Sequence, residues 1–277
     1  MWTNGEEPPL IYWVGILQSK LLLSLFFYLK LFEYNKIIEL EESMKKSFNL
    51  YNENSLDVFY KIINQHHNEN IILVSDPPFN INYKYNSYKD KLDEDEYYEM
   101  LDFFFRDLPS VIIHYPEELY KLSFQIGKFP MKIISWVYNS NTSKQHRDIA
   151  FFDVKPDMNK VRQPYKNPND KRIKERIDRG CKGAKLYDWW EINQVKNVSK
   201  EKTIHPCQMP LEVMKRIIGI LPDNCLVIDP FMGSGTTGVA VMEMNKEQNT
   251  NRSFIGIELD EEYYKVACER INKVGDL

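Results

Sequence analysis

Cysteine is scarce: Cys181, Cys207, Cys225 and Cys268 are the only four in 277 residues, and no two form a Cys-x-x-Cys pair. That excludes a zinc knuckle or a disulfide framework and fits a reducing, cytoplasmic compartment, or a host cytoplasm for a viral chain. Eleven glycines without a period exclude a collagen-like chain, and no internal repeat of solenoid length is present. Long apolar runs are also missing. The longest, Leu21 to Leu29, spans nine residues with Ser24 inside it, short of the roughly 20 that a spanning helix needs. No small-residue cleavage site follows, which disfavours a signal peptide. Residues 10–32, with 17 apolar residues of 23 interrupted by Lys20 and Lys30, read as a peripheral helix or a leader from an upstream start codon. Contact of this stretch with a membrane is disfavoured.

Apolar residues make up 43% and charged residues 27%, and seventeen Tyr, fifteen Phe and five Trp exclude disorder of the whole chain. The net charge of −4 is unevenly spread. Residues 155–202 hold fourteen Lys/Arg against seven Asp/Glu, a local +7, so the remainder carries −11. A basic segment in an acidic body reads either as a polyanion contact or as a solvated loop. Around it the chain alternates between strand and helix signals. Strands are expected near 71–75, 110–116, 132–139, 148–154, 225–229 and 253–258, with helices over 90–102, 116–127, 210–221, after 235 and over 260–271. This rhythm predicts an α/β fold with a mostly parallel sheet.

Two motifs carry chemistry. Gly233-Ser-Gly235-Thr-Thr-Gly238 follows a strand and opens a helix, and Glu258 ends the next strand. That arrangement suits an adenosine-bearing cofactor, whose ribose hydroxyls the carboxylate would accept. No Gly-Lys-Ser/Thr follows, which excludes a triphosphate-binding loop. Asp76-Pro77-Pro78-Phe79 stands at the end of another strand. The two prolines remove N–H donors, so the turn presents a carboxylate and carbonyls, all acceptors, beside a flat ring. Such an array can hold and activate an exocyclic amine while Phe79 stacks on a flipped-out base.

Together these motifs resemble the amino-methyltransferases of DNA, the N6-adenine and N4-cytosine enzymes. DPPF is similar to their D/N/S-P-P-Y/F motif, DPFMGSGTTG (229–238) to their cofactor loop, and HPCQMP (205–210) to the H-P-x-Q-K-P segment before it. The order, with the catalytic motif first and the cofactor loop last, looks like the circularly permuted β group. The resemblance covers about residues 49–273 and implies a Rossmann-like methyltransferase fold dependent on S-adenosylmethionine. It implies a catalytic domain over 49–154 and 203–277, a target-recognition insertion over 155–202, and an N-terminal extension, 1–48, of unassigned role. Asp76 and the Pro77 carbonyl, fixed by Pro78, would orient the target amine, and Phe79 would stack on the base. Asp229, Phe231, Gly233, Ser234, Gly235 and Thr236 would hold the donor's methionine end, closed over by His205, Pro206 and Gln208. Glu258 would hold the ribose, and Asn54 would sit near the donor's adenine. No metal is called for. Three residues depart from the pattern: Asn54 for Asp, Met209 for Lys and Phe79 for Tyr.

The implied substrate is double-stranded DNA with a flipped-out base, and a cognate restriction endonuclease and a homodimer fit the same picture. Asp at the first motif position leans to adenine N6, with cytosine N4 the alternative by the same mechanism. A non-catalytic DNA-binding protein on a decayed methyltransferase fold is the rival from another class. A nicotinamide oxidoreductase shares the glycine turn but leaves DPPF without a role. In a C5-cytosine enzyme the Pro-Cys pair, here Pro206-Cys207, follows the cofactor loop, whereas here it precedes it; Cys207 is therefore read as structural.

Overall fold

The computed structural model describes residues 47–275; the expectations for residues 1–46, including the apolar stretch 10–32, lie outside the described residues. Three apolar runs, Ile71–Ser75, Ser110–His114 and Leu226–Asp229, are buried at every position. Continuous burial of that kind needs cover on both faces of a sheet. The chain supplies that cover in order: β1 (Phe48–Asn52), α1 (Ser55–Gln65), β2 (Ile71–Ser75), α2 (Glu94–Phe105), β3 (Ser110–His114), α3 (Pro116–Ile126), β4 (Lys132–Val137) and β5 (His146–Phe152). There follow β6 (Arg162–Gln163), α4 (Lys171–Asp178), β7 (Ala184–Lys185), β8 (Trp189–Glu191), α5 (Leu211–Gly219), β9 (Leu226–Asp229), α6 (Thr236–Gln248), β10 (Ser253–Glu258) and α7 (Glu261–Gly275).

The main sheet has the order β1-β10-β9-β2-β3-β5-β4-β8. Its pairings are parallel except where β5 runs antiparallel to both β3 and β4. The α/β fold and the mostly parallel sheet are as the sequence predicts. Side chains alternate between the faces. Ile72, Val74 and Val227 join the core under α5 and α6, while Leu73, Ile112 and Ile228 join the one under α1, α2 and α3. Helix starts are set locally. Asn54 caps α1 by accepting from the Leu56 N–H, Asp93 and Glu96 form a capping box on α2, and Pro116 opens α3.

Strands β9 and β2 are neighbours, yet the chain leaves them in opposite directions, β9 toward β10 and β2 toward β3. A crevice opens outside the strand ends at such a switch point. Asp76, Asp229 and Glu258 stand at the ends of β2, β9 and β10, so the topology gathers three carboxylates at one edge.

The basic stretch 155–202 divides into two parts. Helix α4 has no buried residue, and β6 and β7 pair only with each other. Strand β8 instead extends the main sheet beside β4, in register Trp136 to Trp190, and Trp190 is buried in the core. Trp190 is thus an anchor, while Trp189 stays part-exposed against Tyr187 with the Lys166 ammonium 3.9 Å above its ring.

Candidate active site

Asp76 follows the last residue of β2, where the strand's burial carries over to its carboxylate. Oδ1 has no hydrogen-bond partner, and Oδ2 lies 3.4 Å from Nη1 of Arg147. Burial pushes this carboxyl up to about 6, with the Arg147 charge pulling the other way. The turn behind it is braced from beneath. Tyr97 donates its hydroxyl proton to the Pro78 carbonyl at 2.9 Å, and His114 Nε2 is 2.7 Å from the same hydroxyl. The Tyr115 N–H donates to His114 Nδ1 at 2.7 Å, so the proton of the neutral ring sits on Nε2 and the chain runs His114 to Tyr97 to Pro78. Burial, then the charges of Arg147 and Lys144, hold His114 down at about 3, so it stays neutral. Phe79 packs on this histidine, ring centroids 4.3 Å apart.

The loop after the motif turns sharply, with Asn80 and Asn82 at φ 56° and 61°, where Asn is among the few residues tolerated. Buried Asp90 accepts from the N–H groups of Asn80, Ile81 and Tyr83 and fixes the loop beside the cavity.

The glycine turn answers from the neighbouring strand. Gly233 has φ 53°, and a Cβ there would come within 2.9 Å of His205 Nε2, so the position admits only glycine. Its N–H donates to Glu258 Oε2 at 2.9 Å, and the Asp260 N–H donates to Oε1 at 2.8 Å. Burial nevertheless pushes Glu258 up to about 7, against those two bonds. His205 sits edge-on to Tyr263 at 4.5 Å with its Nδ1 unpartnered.

These groups line a cavity of about 300 Å³, reached by Asn54, Asp76, Pro77, Pro78, Phe79, His205, Phe231, Gly233 and Glu258. The other sequence-predicted residues stand behind its wall. Asp229 accepts from Ser75 Oγ, the Phe231 N–H and Thr237 Oγ1 and ties β9 to β2; burial pushes it up to about 6. Arg270 donates to the Ser234 carbonyl and hydroxyl and to Thr236 Oγ1, so Ser234, Gly235 and Thr236 shape the turn. Gln208 accepts from the Thr203 N–H and donates to the Glu201 carbonyl, holding the 201–208 segment, and the Pro206 carbonyl accepts from Lys202. Asn54 spends its side-chain oxygen on the helix cap while still lining the cavity. Cys207 lines it too, its thiol pushed up by burial.

Sequence reading missed Arg147, Tyr97, His114 and Arg270. Arg147 is 71 residues from Asp76 in the chain. Only the antiparallel course of β5 brings them together, and no local motif signals it.

The sequence profile of the DNA methylase family, of N6/N4 type, matches residues 71–269. The chain is similar to the type II methyltransferase M.HpaI of Haemophilus parainfluenzae, 28% identical over 228 residues, 73% of this chain and 68% of the relative. It is also similar to the type II methyltransferase M.BglII of Bacillus subtilis, 30% identical over 166 residues, 54% of this chain and 44% of that relative. Among solved structures, M1.HpyAVI complexed with S-adenosylmethionine superposes with a TM-score of 0.53 at 22% identity, covering 81% of this chain and 99% of that one. A DNA modification methylase of Thermus thermophilus, also complexed with S-adenosylmethionine and titled putative, gives 0.52 at 18% identity, covering 82% and 94%. At these identities the structural likeness carries the fold.

Proposed function

The chain belongs to the DNA methylase family, and from that premise we propose that it transfers a methyl group to the exocyclic N6 of adenine, flipped out of double-stranded DNA. S-Adenosylmethionine is the methyl donor of the family. The residues present fit it: a glycine cradle with no room for a Cβ, a buried carboxylate beside it and an orphaned His205 Nδ1 at the rim. When bound, the donor supplies an electrophilic methyl group on a sulfonium. Phe231, Gly233 and His205 would hold its methionine end and Glu258 its ribose.

The observation that carries the reading is the unpaired oxygen of buried Asp76, which shares one cavity with the Gly233–Glu258 pair. Ionised, Asp76 accepts an amine N–H and stabilises the positive charge that grows on the attacking nitrogen. It then takes up the proton the amine loses and, with its carboxyl near 6, returns it to water at neutral pH. The Tyr97–His114 brace keeps the Pro-Pro turn from shifting, which preserves the alignment that transfer needs. Asp at the first motif position favours adenine over cytosine. The chain order supports a permuted arrangement, since β2 precedes its sheet neighbour β9 by about 150 residues. The unburied basic helix α4 supports DNA contact by the 155–202 segment.

The test is expression in a methylation-free bacterial host, followed by modified-base sequencing of its DNA. N6-methyladenine confined to one short motif is the expected result. N4-methylcytosine would overturn the choice of base, and no modified base from soluble, donor-binding protein would overturn the reading.

A further inference from the structure

A base that stacks on Phe79 and offers its amine to Asp76 needs the face of one residue and the oxygens of the other. One side chain already engages both. Arg147 is the second residue of β5. Because β5 runs antiparallel to β3, its beginning reaches the edge where β2 and β9 end. Nη1 stands 3.4 Å from Asp76 Oδ2, and the guanidinium carbon lies 4.5 Å from the centroid of the Phe79 ring.

Phe79 has another planar neighbour at similar distance, His114, and a base must replace one of the two. His114 is fixed, buried to 1% exposure with both ring nitrogens hydrogen-bonded. Arg147 is not. Its Nε is buried without a partner. Its contact with Asp76 is longer than the roughly 2.7–2.9 Å of a strong charge-assisted bond, and its Nη1 otherwise meets only the Met209 sulfur, at 3.7 Å.

We propose that Arg147 is the displaceable occupant of the target-base subsite: its guanidinium keeps the place on Phe79 and against Asp76 that the flipped base takes, and base entry moves it aside. The proposal rests on the DNA-methyltransferase reading of the site. A guanidinium is a suitable stand-in, being flat, able to stack on an aromatic face and rich in N–H donors. The exchange is like for like, because the amine's N–H groups replace those of Nη1 on the carboxylate and the base replaces the guanidinium on the ring. A base without an exocyclic amine at that position cannot complete the exchange and leaves a buried carboxylate unpaired, which is costly. Arg147 is thereby also a specificity-determining residue.

The test compares the wild-type protein, Arg147→Ala and Arg147→Lys on a duplex bearing the motif that the wild type methylates. 2-Aminopurine stands at the target, or pyrrolocytosine if the product is N4-methylcytosine. Donor binding by each variant certifies its fold. At saturating protein the emission of the unstacked analogue rises about threefold or more in Arg147→Ala. Arg147→Lys, which keeps the charge and loses the plane, lies between. Emission in Arg147→Ala no higher than in the wild type, with the wild type active, overturns the proposal and leaves the methyltransferase reading standing. If Arg147→Ala fails to bind donor, Arg147→Lys decides by the same comparison. A wild type that methylates no DNA overturns the reading itself, and the proposal with it.

Discussion

The Gly233 N–H donates to the Glu258 carboxylate at 2.9 Å, which couples the glycine turn to the end of β10. One Glu258 oxygen faces Gly233 and the other Asp260, so both N–H groups need an acceptor. Glu258→Gln supplies only one oxygen and turns an amide N–H toward one of them. Donor affinity is expected to fall about tenfold or more, the worth of a charge-assisted bond. Titration calorimetry with S-adenosylmethionine measures it, and an unchanged affinity removes Glu258 from the donor site. Because burial holds this carboxyl near 7, wild-type donor affinity weakens as the pH falls below about 7, where the group gains a proton and loses an acceptor. The variant shows no such dependence between pH 8 and 6.

Asp76 separates chemistry from binding. Asp76→Asn keeps an acceptor oxygen and removes the charge, so kcat should fall about 100- to 1000-fold with donor affinity little changed. Parallel loss of both would make Asp76 structural. The pH profile has a defined sign: burial raises the carboxyl to about 6 against the pull of Arg147, so wild-type kcat declines as the pH drops below about 6.

The brace under Pro78 predicts a different signature. Tyr97→Phe leaves the Pro78 carbonyl and His114 Nε2 without partners, which costs about 1–3 kcal/mol of stability and lowers the melting temperature. His114→Gln tests the same brace through pH. The folded ring titrates near 3, below its ordinary 6.5. Acidification therefore protonates the unfolded chain first, and stability is lost as the pH falls through about 6.5. At pH 5 this amounts to about 2 kcal/mol. Melting temperatures at pH 7 and pH 5 should diverge more for the wild type than for His114→Gln; equal shifts would mean that His114 is not held neutral.

The parts legible in the sequence are those written in consecutive residues. DPPF and the GSGTTG turn each signal a strand end and a backbone shape, and Glu258 lies at the close of the next strand. What was not legible comes from register across the sheet. Arg147, Tyr97 and His114 reach the DPPF turn through β5, α2 and β3, and no spacing along the chain encodes those approaches. The turn residues also divide by facing. Ser234 and Thr236 look like ligand-binding residues beside Gly233, yet helix rotation turns them to Arg270 on α7. Trp189 and Trp190 show the period-2 rule: the pair is one motif in sequence, and the strand sends its members to opposite environments.

Helix α4 offers the cleanest test of the interface with DNA, because its four cations at 171, 172, 174 and 176 sit on an element with no buried residue. Replacing Lys171, Arg172, Lys174 and Arg176 with Gln removes charge without touching the core, so stability should stay within about 0.5 kcal/mol of the wild type. If each cation neutralises a phosphate, the slope of log affinity against log salt flattens by roughly 0.9 for every phosphate left without its cation, and affinity at low salt falls for specific and unrelated duplexes alike. Fluorescence anisotropy across a salt series measures both. A loss confined to the methylated motif would instead mean that these side chains read base edges, since phosphate contacts carry no sequence information. An unchanged slope and affinity would remove α4 from the interface and leave its charge as a solvated surface.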